Sequence, residues 1–199
     1  MENQDNKTVI VKYNAGNIQS VLYALERIGV DAVVTDDHEL IRQSSRVIFP
    51  GVGEASSAMK YLRERELDKL LAGLTQPVLG ICLGMQLMCE FSEEGDTPCL
   101  GIFKNDVRRF RHELKIPQVG WNNITQLKTP LFTGLPADPY AYFVHSYYAG
   151  INPDTIAVTD YGITFSSALY RDNFYGVQFH PEKSATAGET ILRNFIAMK

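Results

Sequence analysis

The run Val78-Leu79-Gly80-Ile81-Cys82-Leu83-Gly84-Met85-Gln86-Leu87-Met88-Cys89-Glu90 constrains the fold more than any other stretch of the chain. It is apolar without alternation up to the cysteine and continues past it without a breaker, so it reads as a buried strand that ends at Cys82 and turns straight into a helix. Gly80 and Gly84 bracket Cys82 at the spacing Gly-x-Cys-x-Gly, which is that of a strand-to-helix elbow that strains one residue and presents its side chain. Small residues at 80 and 84 are expected to keep the approach to that side chain open. The following helix is expected to aim its first amides at the sulfur and favour the thiolate. The competing reading makes Cys82 a small apolar core residue, as free cysteines commonly are.

Composition narrows the setting. A chain of 199 residues with 45% hydrophobic and 21% charged residues is an ordinary globular chain, and its length predicts a single domain over residues 1–199. A net charge of -4 disfavours a nucleic-acid surface. The three cysteines, 82, 89 and 99, cannot all pair, and the polar, acidic start Met1 to Asn6 has no signal-peptide character, so a reducing, cytoplasmic setting is expected. No apolar run approaches the ~20 residues that span a bilayer, so no membrane partner is expected.

In chain order, Thr8-Val9-Ile10-Val11 is a β-branched strand, and Asn17 is placed to cap a helix with the apolar face Ile18, Val21, Leu22, Leu25 and Ile28. Residues 31–35 form a second strand, a short helix fits in the polar stretch up to Gln43, and Arg46-Val47-Ile48-Phe49 is a third strand. Strand and helix alternating in this way predict an α/β fold with an open, mostly parallel sheet and flanking helices. Pro50-Gly51-Val52-Gly53 leaves the carboxyl end of the third strand, where ligands of such sheets collect. Residues 55–74 read as one helix with Met59, Leu62, Leu67, Leu70 and Leu71 inward. Beyond Glu90 the chain turns to Gly, Pro and short runs at 101–110, 120–127, 140–148, 156–159, 165–170 and 175–180, a strand-rich half with antiparallel additions. A last helix over 186–198 buries Ile191, Leu192, Phe195 and Ile196.

The second informative stretch is Val177-Gln178-Phe179-His180-Pro181-Glu182. It reads as a strand ending in His-Pro-Glu, in which residues two apart point the same way, so Glu182 is expected to hold one ring nitrogen of His180 while the other faces a sulfur. A cysteine, a histidine and a carboxylate are the parts of a nucleophilic triad, recognised by role rather than by chain order. His145 is a rival base, but no acid follows it, and a hydrogen-bonded core histidine is the preferred reading there.

The acid following the histidine by two residues, with the nucleophile far upstream and a Pro-Gly-Val-Gly turn on the preceding strand, resembles the class I (triad) glutamine amidotransferases, whose fold is flavodoxin-like. The resemblance runs over most of the chain: Tyr-Asn-Ala-Gly-Asn at 13–17, Phe-Pro-Gly-Val-Gly at 49–53, Gly-Ile-Cys-Leu-Gly-Met-Gln at 80–86, Ser-Glu-Glu-Gly at 92–95, Gly-Trp-Asn at 120–122, Phe-Val-His-Ser-Tyr at 143–147 and Gln-Phe-His-Pro-Glu-Lys-Ser at 178–184. The Gly-Trp-Asn and Pro-Glu-Lys-Ser pair points to the branch whose glutaminase subunits form a heterodimer with a (β/α)8 cyclase of histidine biosynthesis.

The resemblance implies Cys82 as nucleophile, His180 as base and then acid, and Glu182 as the orienting carboxylate. It also implies oxyanion donors at Leu83 and along Gly51, Val52 and Gly53, and L-glutamine as substrate, held by Gln86, Glu94, Ser146 and Tyr147. Asn14, Trp121 and Lys183 fall on the partner-facing side; no metal or cofactor is implied. The glycines of the Pro-Gly-Val-Gly turn are expected to let the Gly51–Val52 peptide take two orientations, one offering the oxyanion an N–H and one a carbonyl. The chain departs from many members at Lys12, where they carry an acid, and at Gln118-Val119, where they carry His-Met. Three other functions stay open at this point: an amidotransferase serving another acceptor, a different cysteine hydrolase, and a flavodoxin-like binding module. The last is weakened by the lack of a Gly-x-Gly-x-x-Gly phosphate loop after the first strand.

Overall fold

The computed structural model describes residues 7–14 and 16–198. The polar start Met1 to Asn6 and Ala15 of the first turn lie outside the described residues.

Five parallel strands form the centre of the sheet: β1 (Thr8–Val11), β2 (Ala32–Thr35), β3 (Arg46–Gly51), β4 (Val78–Cys82) and β13 (Phe174–Val177). Their order, β2-β1-β3-β4-β13, is the doubly wound flavodoxin-like order. β1, β3, β4 and β13 are buried along their whole length, as near-continuous Val, Ile, Leu and Phe runs require when helices cover both faces. On one face α1 (Ile18–Arg27) and α6 (Ala185–Ile196) bury Val21, Leu25, Ile191, Leu192 and Phe195 against Ile10, Ile48 and Leu79. On the other, α2 (His38–Arg42), α3 (Ala55–Glu64), α4 (Leu67–Ala72) and α5 (Leu83–Leu87) pack Ile41, Met59, Leu62, Leu71 and Met85 against Val9, Val11 and Phe49.

Beyond β13 the sheet continues antiparallel. β12 (Thr164–Arg171) pairs β13, β10 (Tyr147–Ala149) pairs β12, and β7 (Asp106–Arg109) pairs β10, with β5 (Phe91–Ser92) and β6 (Thr97–Pro98) at the edge and β11 (Thr155–Asp160) alongside β12. β8 (Gln118–Asn123) and β9 (Tyr140–His145) form a separate antiparallel pair.

Several expectations change. The helix expected over 55–74 is two, because Glu66 takes a left-handed conformation (φ 54°) that no helix interior accepts. Asn17 precedes α1 but makes no side-chain cap; Asp37 and Glu54 cap α2 and α3 instead. The run 140–148 breaks at Ser146 into β9 and β10, which belong to different sheets. The run 101–110 is strand only at 106–109, and 120–127 is strand from 118 to 123. The strand before His180 ends at Val177.

The sheet register places the site. Gly51 of β3 is level with Cys82 of β4, and Val177 of β13 is level with Ile81, so the carboxyl ends of three adjacent parallel strands converge.

Candidate active site

Cys82 is the last residue of β4 and sits at φ 53°, ψ -109°, a strained conformation for a residue with a Cβ. The elbow exists because α5 starts immediately and lies against β3: a Cβ on Gly84 would strike the carbonyl of Phe49, and one on Gly80 would come within 2.8 Å of the Met85 amide. Both glycines therefore serve the close packing of strand, helix and neighbouring strand, not the approach of substrate. α5 is also only five residues long, so its dipole adds little at the sulfur. The sulfur has three side-on partners instead: the imidazole of His180, the Gln178 amide, whose Nε2 lies 3.7 Å away, and the Val144 carbonyl, 3.7 Å away.

His180 lies beyond β13, held by its own backbone. Its N–H donates to Tyr142 O (2.9 Å), and its carbonyl accepts from Ser184 Oγ (2.6 Å), which also accepts from Tyr142 N–H (2.9 Å). The chain then curls through a 3-10 turn, Pro181–Lys183, that swings Glu182 back so that His180 Nδ1–H donates to Glu182 Oε1 over 2.8 Å. Pairing therefore comes from the turn and not from two residues of one extended strand. Both side chains are almost wholly buried. Burial opposes a charge on His180, but hydrogen bonds to Cys82 and Glu182 and the negative charge of both outweigh it and push the imidazole up to about 10.

A cavity of about 320 Å³ opens over this line. Of the residues singled out from sequence, Val52, Gly53, Cys82, Leu83, Gln86, Glu94, His145, Ser146, Tyr147, His180 and Lys183 line it. Gly51 does not; a Cβ there would sit 2.6 Å from the Tyr13 hydroxyl and 2.7 Å from the Gly84 amide, so it is a packing glycine. Gly53 carries the positive φ of the turn, 117°. Glu94 accepts from the Ala55 N–H at the start of α3 (2.9 Å), and burial raises its pKa. Gln86 donates to the Tyr147 carbonyl (3.0 Å) and to Gln178 Oε1 (2.9 Å). Because His145 Nδ1–H donates to the same Tyr147 carbonyl (2.7 Å), that oxygen is already filled by the protein.

The His145 pKa is lowered to about 4 through burial, with the Tyr147 hydrogen bond opposing and the charge of His180 adding, so the ring is neutral. Its Nε2 lies 3.0 Å from Gln118 Oε1; on a neutral ring that nitrogen accepts, which requires the Gln118 amide to be turned so that its NH2 faces the ring. His145 and Gln118 form a buried pair, which makes His145 a structural histidine. It also makes Gln118, one of the departures from the family pattern, an interior residue.

Asn14 lies on the surface and donates to the Ser57 carbonyl (3.3 Å). Trp121 is 52% exposed and packs edge-on against Tyr142 (5.8 Å between centroids). On β8 and β9, Val119, Trp121, Tyr140 and Tyr142 share one face, and His145, Phe143 and Gln118 share the buried other.

Sequence reasoning missed Gln178, Ser184 and Tyr13. The buried Tyr13 hydroxyl donates to the Pro50 carbonyl (2.6 Å), and burial, followed by the charge of Cys82, pushes its pKa far up. A polar residue inside an apolar run, as Gln178 is between Val177 and Phe179, was the available signal. A larger cavity, about 510 Å³ between α2 and α4, is lined by His38, Arg42, Glu66, Lys69 and Thr75 among others and by no cysteine.

Residues 9–198 match the family model described as glutamine amidotransferase class-I. The chain is 56% identical over 195 residues to the imidazole glycerol phosphate synthase subunit HisH of Bacteroides fragilis YCH46, covering 96% of this chain and 100% of that one. It is 49% identical over 204 residues to the subunit of the same name from Shewanella sediminis, covering 100% and 94%. Among solved structures, one described as a glutamine amidotransferase matches with a TM-score of 0.73 at 19% identity, over 94% of this chain and 96% of that one. PurLQS from Thermotoga maritima matches at 0.71 and 15%, over 96% and 97%. These structural likenesses speak to the fold alone. The family match, spanning nearly the whole chain, agrees with an elbow cysteine, a buried histidine and a carboxylate at the converging strand ends: the chain belongs to the class-I glutamine amidotransferase family.

Proposed function

We propose that the chain is the glutaminase subunit of an imidazole glycerol phosphate synthase. It hydrolyses L-glutamine to glutamate and ammonia and passes the ammonia to a (β/α)8 cyclase partner, which forms imidazole glycerol phosphate and aminoimidazole carboxamide ribonucleotide in histidine biosynthesis. The observation that carries this reading is the single buried line Cys82, His180 and Glu182 under a cavity, in a chain 56% identical to a HisH subunit along its length.

In this mechanism the Cys82 thiolate, paired with the His180 imidazolium, attacks the side-chain amide carbon of glutamine. The carbonyl oxygen becomes an oxyanion beside the Leu83 N–H and the Gly51–Gly53 turn. As the tetrahedral intermediate collapses, His180 gives its proton to the departing nitrogen and ammonia leaves. A water deprotonated by His180 then hydrolyses the thioester. Glu182 holds the ring and stabilises its charge throughout. Glu94, which lines the cavity and carries a carboxylate, is suited to the ammonium end of the substrate, with Gln86, Ser146 and Tyr147 lining the same cavity.

The Gly51–Val52 peptide acts as the control element: turned one way it offers an N–H to the oxyanion, turned the other a carbonyl that repels it. Losing one such donor costs roughly 10²- to 10³-fold in rate. The partner docks on the outward face of β8 and β9, where Val119, Trp121 and Tyr140 are 55%, 52% and 60% exposed, with Asn14 and Lys183 as further contacts that the family resemblance implies. An apolar patch beside the mouth of the cavity fits a heterodimer interface that encloses the path of ammonia. Enclosure has a physical reason, since ammonia released to neutral water becomes ammonium and is no longer a nucleophile. The cytoplasm is the setting this reading implies.

The test is glutamate release by the chain alone and with the cyclase. Under this reading Cys82→Ala is inactive with glutamine, while its complex still makes product from added ammonia. Glutamine hydrolysis by pure Cys82→Ala would overturn it.

A further inference from the structure

Gln178 is completely buried, and its amide is committed at both ends. Which end is which follows from a chain of bonds anchored on a group with no freedom. The Tyr147 backbone oxygen can only accept, so Gln86 must present its NH2 to it. The second hydrogen of that NH2 points at Gln178, which must therefore present Oε1 (2.9 Å). This leaves the Gln178 NH2 aimed at the Cys82 sulfur over 3.7 Å. The backbone keeps it there: Gln178 N–H donates to Ser167 O (2.9 Å), and β13 runs parallel to β4 with Val177 level with Ile81.

We propose that Gln178 belongs to the reacting centre, donating to the Cys82 sulfur and tying that sulfur through Gln86 to the substrate cavity. The inference rests on Cys82 being the nucleophile. Its physical content is a change of partners on ionisation. A neutral thiol can donate to the Val144 carbonyl (3.7 Å), whereas a thiolate has no hydrogen to give and is repelled by that oxygen. The Gln178 N–H, by contrast, gains strength when the acceptor becomes charged. The amide thus favours the ionised sulfur. Gln86 spends both its hydrogens on protein oxygens, so its own oxygen remains for an N–H of the substrate. The Tyr147 carbonyl fixes the polarity that Gln86 shows to glutamine, and the bond to Gln178 Oε1 reinforces it.

The experiment uses the full chain and follows alkylation of the Cys82 peptide by iodoacetamide as a function of pH. Cys89 and Cys99 interfere little, because burial raises the first well above its ordinary value and the second to about 12. Gln178→Met keeps the length and removes both polar ends. Its alkylation midpoint is expected to rise by about one pH unit, and kcat/KM for glutamine to fall about tenfold with a higher KM. Gln178→Glu, which sets a carboxylate beside the sulfur, should raise the midpoint further. A folding defect in either variant would hide these shifts, so the unaltered chain supplies a second measurement: the 15N side-chain amide signals of Gln178 should move with the titration of Cys82 and stay still in Cys82→Ala. An unmoved midpoint in folded Gln178→Met, or an amide signal indifferent to Cys82, overturns the inference. Activity in Cys82→Ala would instead overturn the reading on which it rests.

Discussion

Glu182 meets His180 across 2.8 Å because the three residues Pro181–Lys183 form a 3-10 turn that folds the carboxylate back onto Nδ1 of the ring. The neighbour that looks closest in sequence is thus delivered by a turn, and Ser184 secures it by bonding both the His180 carbonyl and the Tyr142 amide. An orienting group built this way contributes less than the base it orients. His180→Asn should lower glutamine hydrolysis nearly as far as Cys82→Ala, and Glu182→Gln should retain more activity than either. Steady-state kinetics on the three variants gives the order. A silent His145→Gln beside an unaffected Glu182→Gln would move the triad to His145.

The two buried histidines shift in opposite directions, and stability should report both. His180 is raised to about 10 against an ordinary value of 6.5, so its contribution is complete below about 6.5 and is lost as pH rises through 10. His145 is lowered to about 4, so below about 6.5 the unfolded chain takes up a proton that the folded chain refuses, and stability falls toward pH 4. Denaturant titrations from pH 4 to 10 should show their joint contribution highest near 6.5. His180→Asn should flatten the alkaline slope, and His145→Gln the acid one.

The strain at Cys82 should be visible as stability. At φ 53° and ψ -109° an alanine keeps the strain and a glycine relieves it, so Cys82→Gly should be about 1 kcal/mol more stable than Cys82→Ala in urea, with both inactive. Equal midpoints would mean that the elbow carries no strain.

Gly84 should tolerate no side chain. Its Cβ would meet a backbone carbonyl, Phe49 O, which has no rotamer to escape into, so Gly84→Ala should cost about 3 kcal/mol and pull α5 away from β3. Gly101, around which a Cβ would find open space, provides the comparison, its penalty coming only from its φ of 70°. Thermal unfolding of both variants separates a packing penalty from a backbone one.

Control by the Pro50–Gly53 turn predicts a particular kinetic form. The free chain should hydrolyse glutamine slowly, and the nucleotide-loaded cyclase should raise kcat far more than it lowers KM, because the donor it supplies acts on the oxyanion and not on bound glutamine. Full-speed hydrolysis by the free chain would show an oxyanion site already assembled.

The strands and the elbow were legible in the sequence because they depend on local facts. Short runs rich in Val and Ile and bounded by turn residues read as buried strands, a Gly-x-Cys-x-Gly spacing marks a compact strand-to-helix turn, and His-Pro-Glu places a base and an acid close together in the chain. What the sequence could not contain is the outcome of long-range pairing. The parallel register of β4 with β13 alone makes Gln178 a neighbour of Cys82. The departure of β9 from the main sheet at Ser146 alone turns Gln118 inward onto His145 and Trp121 outward. Gly80 avoids atoms of Gly84, Met85 and Met88, which the elbow itself brings near, whereas Gly84 avoids the Phe49 carbonyl, which only the pairing of β3 with β4 places there. Residue type sets which chemistry a position can perform; which atoms face each other is decided by contacts between residues far apart in the chain, whose energies no local pattern records.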